Sequence, residues 1–213
     1  MIAIYLAPLY LLLNVYCLFR ILKWLETCHV YFKKKWIKAV LVMIYVFLAF
    51  SILIAFLFPQ GTIRRAMKLI SNYWLGVLMY LALTILIADL IRLILIYFVK
   101  ADQKKFRTPK VFRIVGSICM ILILLISFYG VCNARNIRTT SYHVTIHKKA
   151  RNHKKLKIIL LADLHLGYNI GCSQMKQMVM KVNQQSPDLI VVAGDIFDNE
   201  YDALDDPDQL VKI

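Results

Sequence analysis

Apolar positions dominate four long blocks of the chain, and then the pattern changes. Met1–Phe19 has no charged residue, and Ala39–Phe58 has none in 20 positions. Tyr73–Phe98 carries only Asp89 and Arg92, and Ile114–Val131 is again uncharged. A helix needs about 20 apolar residues to cross a bilayer. In hydrocarbon the backbone must bond to itself, which favours helix over an isolated strand. The pattern therefore predicts four transmembrane helices, at about 1–22, 39–58, 73–98 and 114–131. The first block has no basic residue ahead of its apolar run and no small-residue cleavage site after it, so it is expected as a retained helix rather than a signal peptide. Trp24, Tyr31, Trp36, Tyr73, Trp74 and Tyr97 fall near the expected interfaces, where amphipathic rings are favoured.

After residue 132 the apolar periods shorten. Tyr142–Ile146 (YHVTI) alternates and is rich in β-formers, which predicts a strand. Leu156–Ala162 (LKIILLA) is a short continuous apolar run, as expected for a strand buried on both faces of a parallel sheet. In Ser173–Gln185, residues Met175, Met178, Val179 and Val182 form one helical stripe, with Ser173 as the expected cap. Leu189–Ala193 (LIVVA) predicts a second buried strand. Strand, helix, strand is one βαβ unit. The expected organisation is a membrane domain over 1–132, a linker with a first strand over 133–154, and the start of an α/β domain over 155–213.

Composition sharpens this division. The chain is 60% hydrophobic, too apolar for an ordinary soluble domain. Nine of its twelve acids lie after residue 160. The net charge of +15 does not point to nucleic acid, because the Lys and Arg cluster in short loops between apolar blocks. Arg20–Lys38 and Lys100–Arg113 hold six basic residues each, against eight on the other side at Arg64, Arg65, Lys68, Arg135, Arg138, Lys148, Lys149 and Arg151. The positive-inside rule then places both termini, and the tail domain, outside the cytoplasm. Five cysteines in no CxxC spacing predict neither a disulfide framework nor a zinc knuckle. Asp89 and Arg92, three apart on one helix face, are expected to pair with each other, with Arg92 reaching outward. A functional intramembrane pair, as in a small transporter, is the sharper reading of the same two residues.

The candidate chemistry lies at the ends of the two tail strands. LLADLHLG, residues 160–167, puts Asp163 and His165 one residue apart, and Gly194-Asp195 follows the second strand. In an extended segment alternate side chains face one way, and open α/β sheets bind ligands at the carboxyl ends of their strands. Two carboxylates and an imidazole there make the start of a divalent-metal site, with mixed oxygen and nitrogen ligation that suits manganese, iron or zinc. The alternative for each residue is a helix cap or a structural histidine. His143, His147 and His153 are read as solvated, and Tyr201–Asp208 as an acidic turn.

LADLHLG followed by PDLIVVAGDIFDN closely resembles the calcineurin-like metallophosphoesterases, over about residues 140–213. The resemblance implies an α/β sandwich of two sheets, of which this βαβ unit would be the beginning. It also implies two divalent ions, with Asp163 and His165 on the first, Asp195 bridging both, and Asp198 in a supporting position. The family's Gly-Asn-His and Gly-His-x-His motifs do not occur in residues 1–213. The expectation is therefore a truncated phosphoesterase domain on a four-helix membrane region. Its substrate would be a phosphomonoester or phosphodiester, derived from lipid or cell envelope. The bilayer is the other expected partner, and no protein partner is indicated. The alternative is a non-catalytic membrane protein carrying a remnant of that domain.

Overall fold

The computed structural model describes residues 2–59, 61–100, 102–106, 108–147, 155–198, 203–204 and 206–213, with backbone alone at residues 2–4. The chain divides into two compact units, Met1–Val131 and Cys132–Ile213.

In the first unit, α1 runs Ile2–Cys28, followed by a 3-10 turn at Val30–Lys33. Helices α2 (Lys35–Leu57), α3 (Thr62–Tyr97), α4 (Gln103–Phe106) and α5 (Pro109–Ala134) complete it. Four of these are long and apolar enough to cross a membrane: α1 from Tyr5, α2, α3 and α5. By length and composition they support an integral-membrane location for the chain. The expected blocks mark the spans but not their ends. Helix α3 begins at Thr62 rather than near residue 73, so Arg64, Arg65 and Lys68 are helical instead of lying in a loop. At 1.5 Å per residue its 36 residues measure about 54 Å, well beyond the roughly 30 Å hydrocarbon layer. A helix already nucleated gains a hydrogen bond for each residue added, so it need not stop where the lipid does. Helix α5 starts early too, with Pro109 in its first turn, where a missing N–H costs nothing.

The core of this unit joins Cys17, Tyr45, Ala49, Leu78, Leu81, Ala82, Ile85 and Ile123. Leu78, Leu81, Ala82 and Ile85 follow helical spacing, which gives α3 one buried stripe. Polar side chains supply cross-links between the helices, and several of them involve α1. The Tyr10 hydroxyl donates to the Ala49 carbonyl at 2.6 Å, and the Asn14 carbonyl accepts from the Tyr45 hydroxyl at 3.1 Å. Trp24 Nε1 donates to Ser117 Oγ at 3.3 Å. On α3, Asp89 accepts from the Tyr16 hydroxyl at 2.5 Å and from Arg20 Nη2 at 2.7 Å. The intramembrane pair is therefore Asp89 with Arg20, not Asp89 with Arg92. Arg92 Nε is buried and has no hydrogen-bond partner among the described residues. Spacing along one helix shows only that helix's own neighbours, and Arg20 is 69 positions away.

In the second unit, β1 (Ile158–Leu161), α6 (Cys172–Gln184), β2 (Leu189–Val192) and a short α7 (Pro207–Val211) follow in order. The strands pair in parallel, from Ile158↔Leu189 to Leu161↔Val192, and one further bond, Ala193 N–H to Leu161 C=O at 2.8 Å, closes the ladder. This is the expected strand–helix–strand order. The helix cap is Gly171 rather than Ser173; the Gln174 side chain reaches back to accept from Gly171 N–H at 3.3 Å. On the expected stripe Met178 and Val182 are buried and Met175 and Val179 half-buried, and Cys172 is buried in the first turn.

Two expectations fail here. Tyr142–Ile146 forms no strand, and Tyr142, Val144 and Ile146 are all more than two-thirds exposed. Nor are the two strands buried: β2 is exposed along its whole length and β1 alternates. The exposure of β1 and β2 has a direct reason. The described sheet has two strands only, and a two-stranded sheet has too few neighbours to cover both its faces. The described residues thus contain one α/β unit and not a two-sheet sandwich. His153 lies outside the described residues, as do 201, 202 and 205 of the acidic stretch Tyr201–Asp208; Asp206 caps α7, its side chain accepting from Gln209 N–H, and Pro207 and Asp208 belong to that helix.

Candidate metal centre

Both candidate motifs leave the same end of the parallel pair. β1 ends at Leu161 and β2 at Val192, and those two residues are in register, so Asp163 and Asp195 emerge side by side. The two following segments are then zipped together by backbone. His165 N–H donates to Asp195 C=O at 3.2 Å, Leu166 N–H to Ile196 C=O at 2.8 Å, and Asp198 N–H to Leu166 C=O at 3.0 Å. Leu166 anchors this junction, only 3% exposed.

The backbone at the motif residues is not extended as expected. Asp163, His165 and Asp195 all take left-handed conformations, with φ of 53°, 48° and 49°. Among the described residues only Lys100 and Ser186 are the other non-glycine positions of this kind. Each such residue costs roughly 1–2 kcal/mol for an ordinary side chain, less for Asp and His. Three of them at one sheet edge are backbone strain gathered where ligand-competent side chains meet. Gly194, at φ 95°, makes the turn that a side chain would resist. Sequence spacing gave no hint of this geometry. A residue type shows what it can ligate, not which backbone well it occupies.

The side chains nevertheless converge. Asp163, His165 and Asp195 each offer a donor atom within 4.8 Å of the others. His165 Nε2 lies 3.4 Å from Asp195 Oδ2. Its other nitrogen, Nδ1, lies 2.6 Å from Asp198 Oδ1. An ionised carboxylate only accepts, so the imidazole donates its Nδ1–H to Asp198. In the neutral ring Nε2 then carries a lone pair toward a second carboxylate. Two acceptors facing each other at that distance call for a cation between them, either a proton or a metal. The proton option is visible in the charge balance. The hydrogen bond to Asp198 raises the His165 pKa above its ordinary value; partial desolvation lowers it, and the charges of Asp195, Asp198 and Asp163 raise it further.

The metal option fits the distances. Two donors about 2.1 Å from one ion at a tetrahedral angle lie about 3.4 Å apart, close to the Nε2–Oδ2 separation. The donor set is two carboxylates and one imidazole, suited to manganese, iron or zinc. A histidine that gives its second N–H to a carboxylate is the usual arrangement around such ions. The site is open to solvent, with Asp163 and Asp195 exposed. His143 and His147 lie on exposed chain and join no metal-competent cluster among the described residues.

No protein-family model matches the chain, and no solved structure matches it. Curated proteins do. An uncharacterized metallophosphoesterase of Campylobacter jejuni is 30% identical over 181 residues, 80% of this chain and 47% of the relative. A transmembrane protein with metallophosphoesterase domain from Danio rerio is 28% identical over 88 residues, and its namesake from Bos taurus 33% over 89. Those two matches each cover 41% of this chain and 20% of the relative. The chain thus spans about half the length of the first relative and less of the others. At family level it is homologous to metallophosphoesterase-domain proteins, some of them transmembrane.

Proposed function

We propose that this chain is the membrane-anchored, metal-binding part of a phosphoesterase that hydrolyses a phosphomonoester or phosphodiester. The observation that carries the proposal is the facing pair of acceptors, His165 Nε2 and Asp195 Oδ2, with Asp163 beside them. Asp163 and His165 would hold a divalent ion, and Asp195 would add a further carboxylate to the same site. Asp198 fixes the imidazole by holding Nδ1–H, so that Nε2 is the free donor. Divalent ions bound there supply an activated water and absorb charge on the phosphoryl oxygens. The four spans hold the site at a membrane surface, which favours a lipid or cell-envelope phosphoester. The excess of basic residues in the Arg20–Lys38 and Lys100–Arg113 loops supports a reading in which that surface is extracytoplasmic.

The test is hydrolysis of a generic aryl phosphodiester with added manganese, by the purified chain and by a longer protein that contains it. Asp195→Asn should abolish the activity of whichever form has it. Activity that survives Asp195→Asn would remove the assignment. Absence of both hydrolysis and retained manganese in either form would leave a non-catalytic membrane protein as the better description.

A further inference from the structure

Two cations of the membrane unit converge on one ring. The Arg20 guanidinium carbon stands 4.9 Å from the centre of Phe112, and the Lys23 ammonium 5.4 Å from the same centre. Arg20 is matched by Asp89. Lys23 pairs with no carboxylate among the described residues. The local balance is therefore two positive charges to one negative. Arg20 and Lys23 belong to the last third of α1, and Phe112 to the first turn of α5. Both helix ends adjoin the loops that hold six basic residues each. Next to the ring is a cavity of about 40 Å³ between α1, α3 and α5, with Arg20 and Phe112 on its wall and Ile21, Trp24, Ala88, Gly116, Cys119 and Met120 among its lining. An apolar slot thus opens beside an excess of positive charge at the expected headgroup level. An unmatched cation at a membrane boundary is stabilised by an anion.

We propose that this is a binding site for one anionic phospholipid of the surrounding membrane. Its phosphate lies between Arg20 and Lys23, and the upper part of one acyl chain enters the slot. A free phosphate would answer the charge but leave the slot unfilled. A zwitterionic lipid would fill the slot while bringing its own cation. Only an anionic headgroup joined to a hydrocarbon chain answers both features. The inference rests on the membrane unit alone and is independent of the metal centre.

The experiment is thermal unfolding of the full chain in nanodiscs of phosphatidylcholine, with and without phosphatidylglycerol. The expected result is a higher Tm with phosphatidylglycerol. Lys23→Gln should remove at least half of that shift, and so should Ala88→Phe, which fills the slot and leaves the charges. Arg113→Gln, an exposed basic residue nearby, should keep the shift. Equal Tm in the two lipids would overturn the proposal, as would a shift retained in Lys23→Gln. A shift lost equally in Arg113→Gln would mean general surface charge. The same shift from inorganic phosphate in phosphatidylcholine alone would mean a bare anion site. Should a variant fail to fold, native mass spectrometry of the unmodified chain decides. Retained phosphatidylglycerol, enriched over the bulk lipid, supports the site, and its absence overturns it.

Discussion

Around His165 a single proton decides between two states of the site. The imidazole gives Nδ1–H to Asp198 and turns Nε2 toward Asp195. With a second proton on Nε2 the ring is a cation held between carboxylates. Without it, Nε2 offers a lone pair that a metal ion could take. The raised pKa of His165 fixes the sign of both effects. The folded chain gains stability from this pair below about 6.5, the ordinary imidazole value, and loses it as pH rises through the higher folded value. Manganese binding runs the other way, weak at low pH and rising through that same folded value. Titration calorimetry on the full chain should therefore show a midpoint above about 6.5, and Asp198→Asn should move it downward. A midpoint indifferent to Asp198→Asn would separate His165 from the metal. The residue types of this site were legible in the sequence, because each motif follows its own apolar strand. Their left-handed backbone was not, because nothing in Asp or His dictates φ.

Between elements, α1 adds polar cross-links to a unit whose most extensive helix packing is that of α2 on α3. Its contact with α3 is an ion pair whose Arg20 side chain is 18% exposed and whose Asp89 side chain is 27% exposed. Breaking a buried pair by removing one partner costs about 3–5 kcal/mol, and partial exposure reduces this to about 2 kcal/mol. Asp89→Ala should lower stability in detergent by that amount, followed by thermal unfolding. Arg92→Gln should cost less than Asp89→Ala, since Asp89 pairs with Arg20 and not with Arg92. The contact with α5 depends on a missing side chain. A Cβ at Gly116 would run into the Trp24 ring, whereas one at Gly130 would meet nothing. Small residues let membrane helices approach closely, so Gly116→Ala should lower the melting temperature and Gly130→Ala should not. Four helices could be read from the apolar blocks because hydrocarbon punishes any other backbone. Their partners could not, since a pairing across 69 positions leaves no local periodicity.

For the molecule as a whole, the open question of sidedness reduces to two cysteines. Cys28 closes α1, and the exposed Cys132 lies near the end of α5. The proposed orientation would put Cys132 outside the cytoplasm and Cys28 at the cytoplasmic face. A membrane-impermeant maleimide should label Cys132 in intact cells and reach Cys28 only after permeabilisation; the reverse order would put the metal centre in the cytoplasm. The strand–helix–strand order of the second unit was readable from apolar runs, but the burial of its strands was not. LIVVA specifies a strand that needs cover, and a run of apolar residues cannot say whether its cover lies within the described chain.

The polar character of α1 also sets a timetable for membrane insertion. Of the four spans it has the lowest mean hydropathy, 1.6 against 3.0, 2.3 and 2.5. Arg20 finds its carboxylate only when Asp89, 69 residues later, has been made. At 5–20 residues per second that delay is roughly 3–14 s. During it α1 carries a guanidinium near the membrane boundary whose carboxylate has not yet been made, so its counter-charge in that interval must come from water or from lipid headgroups.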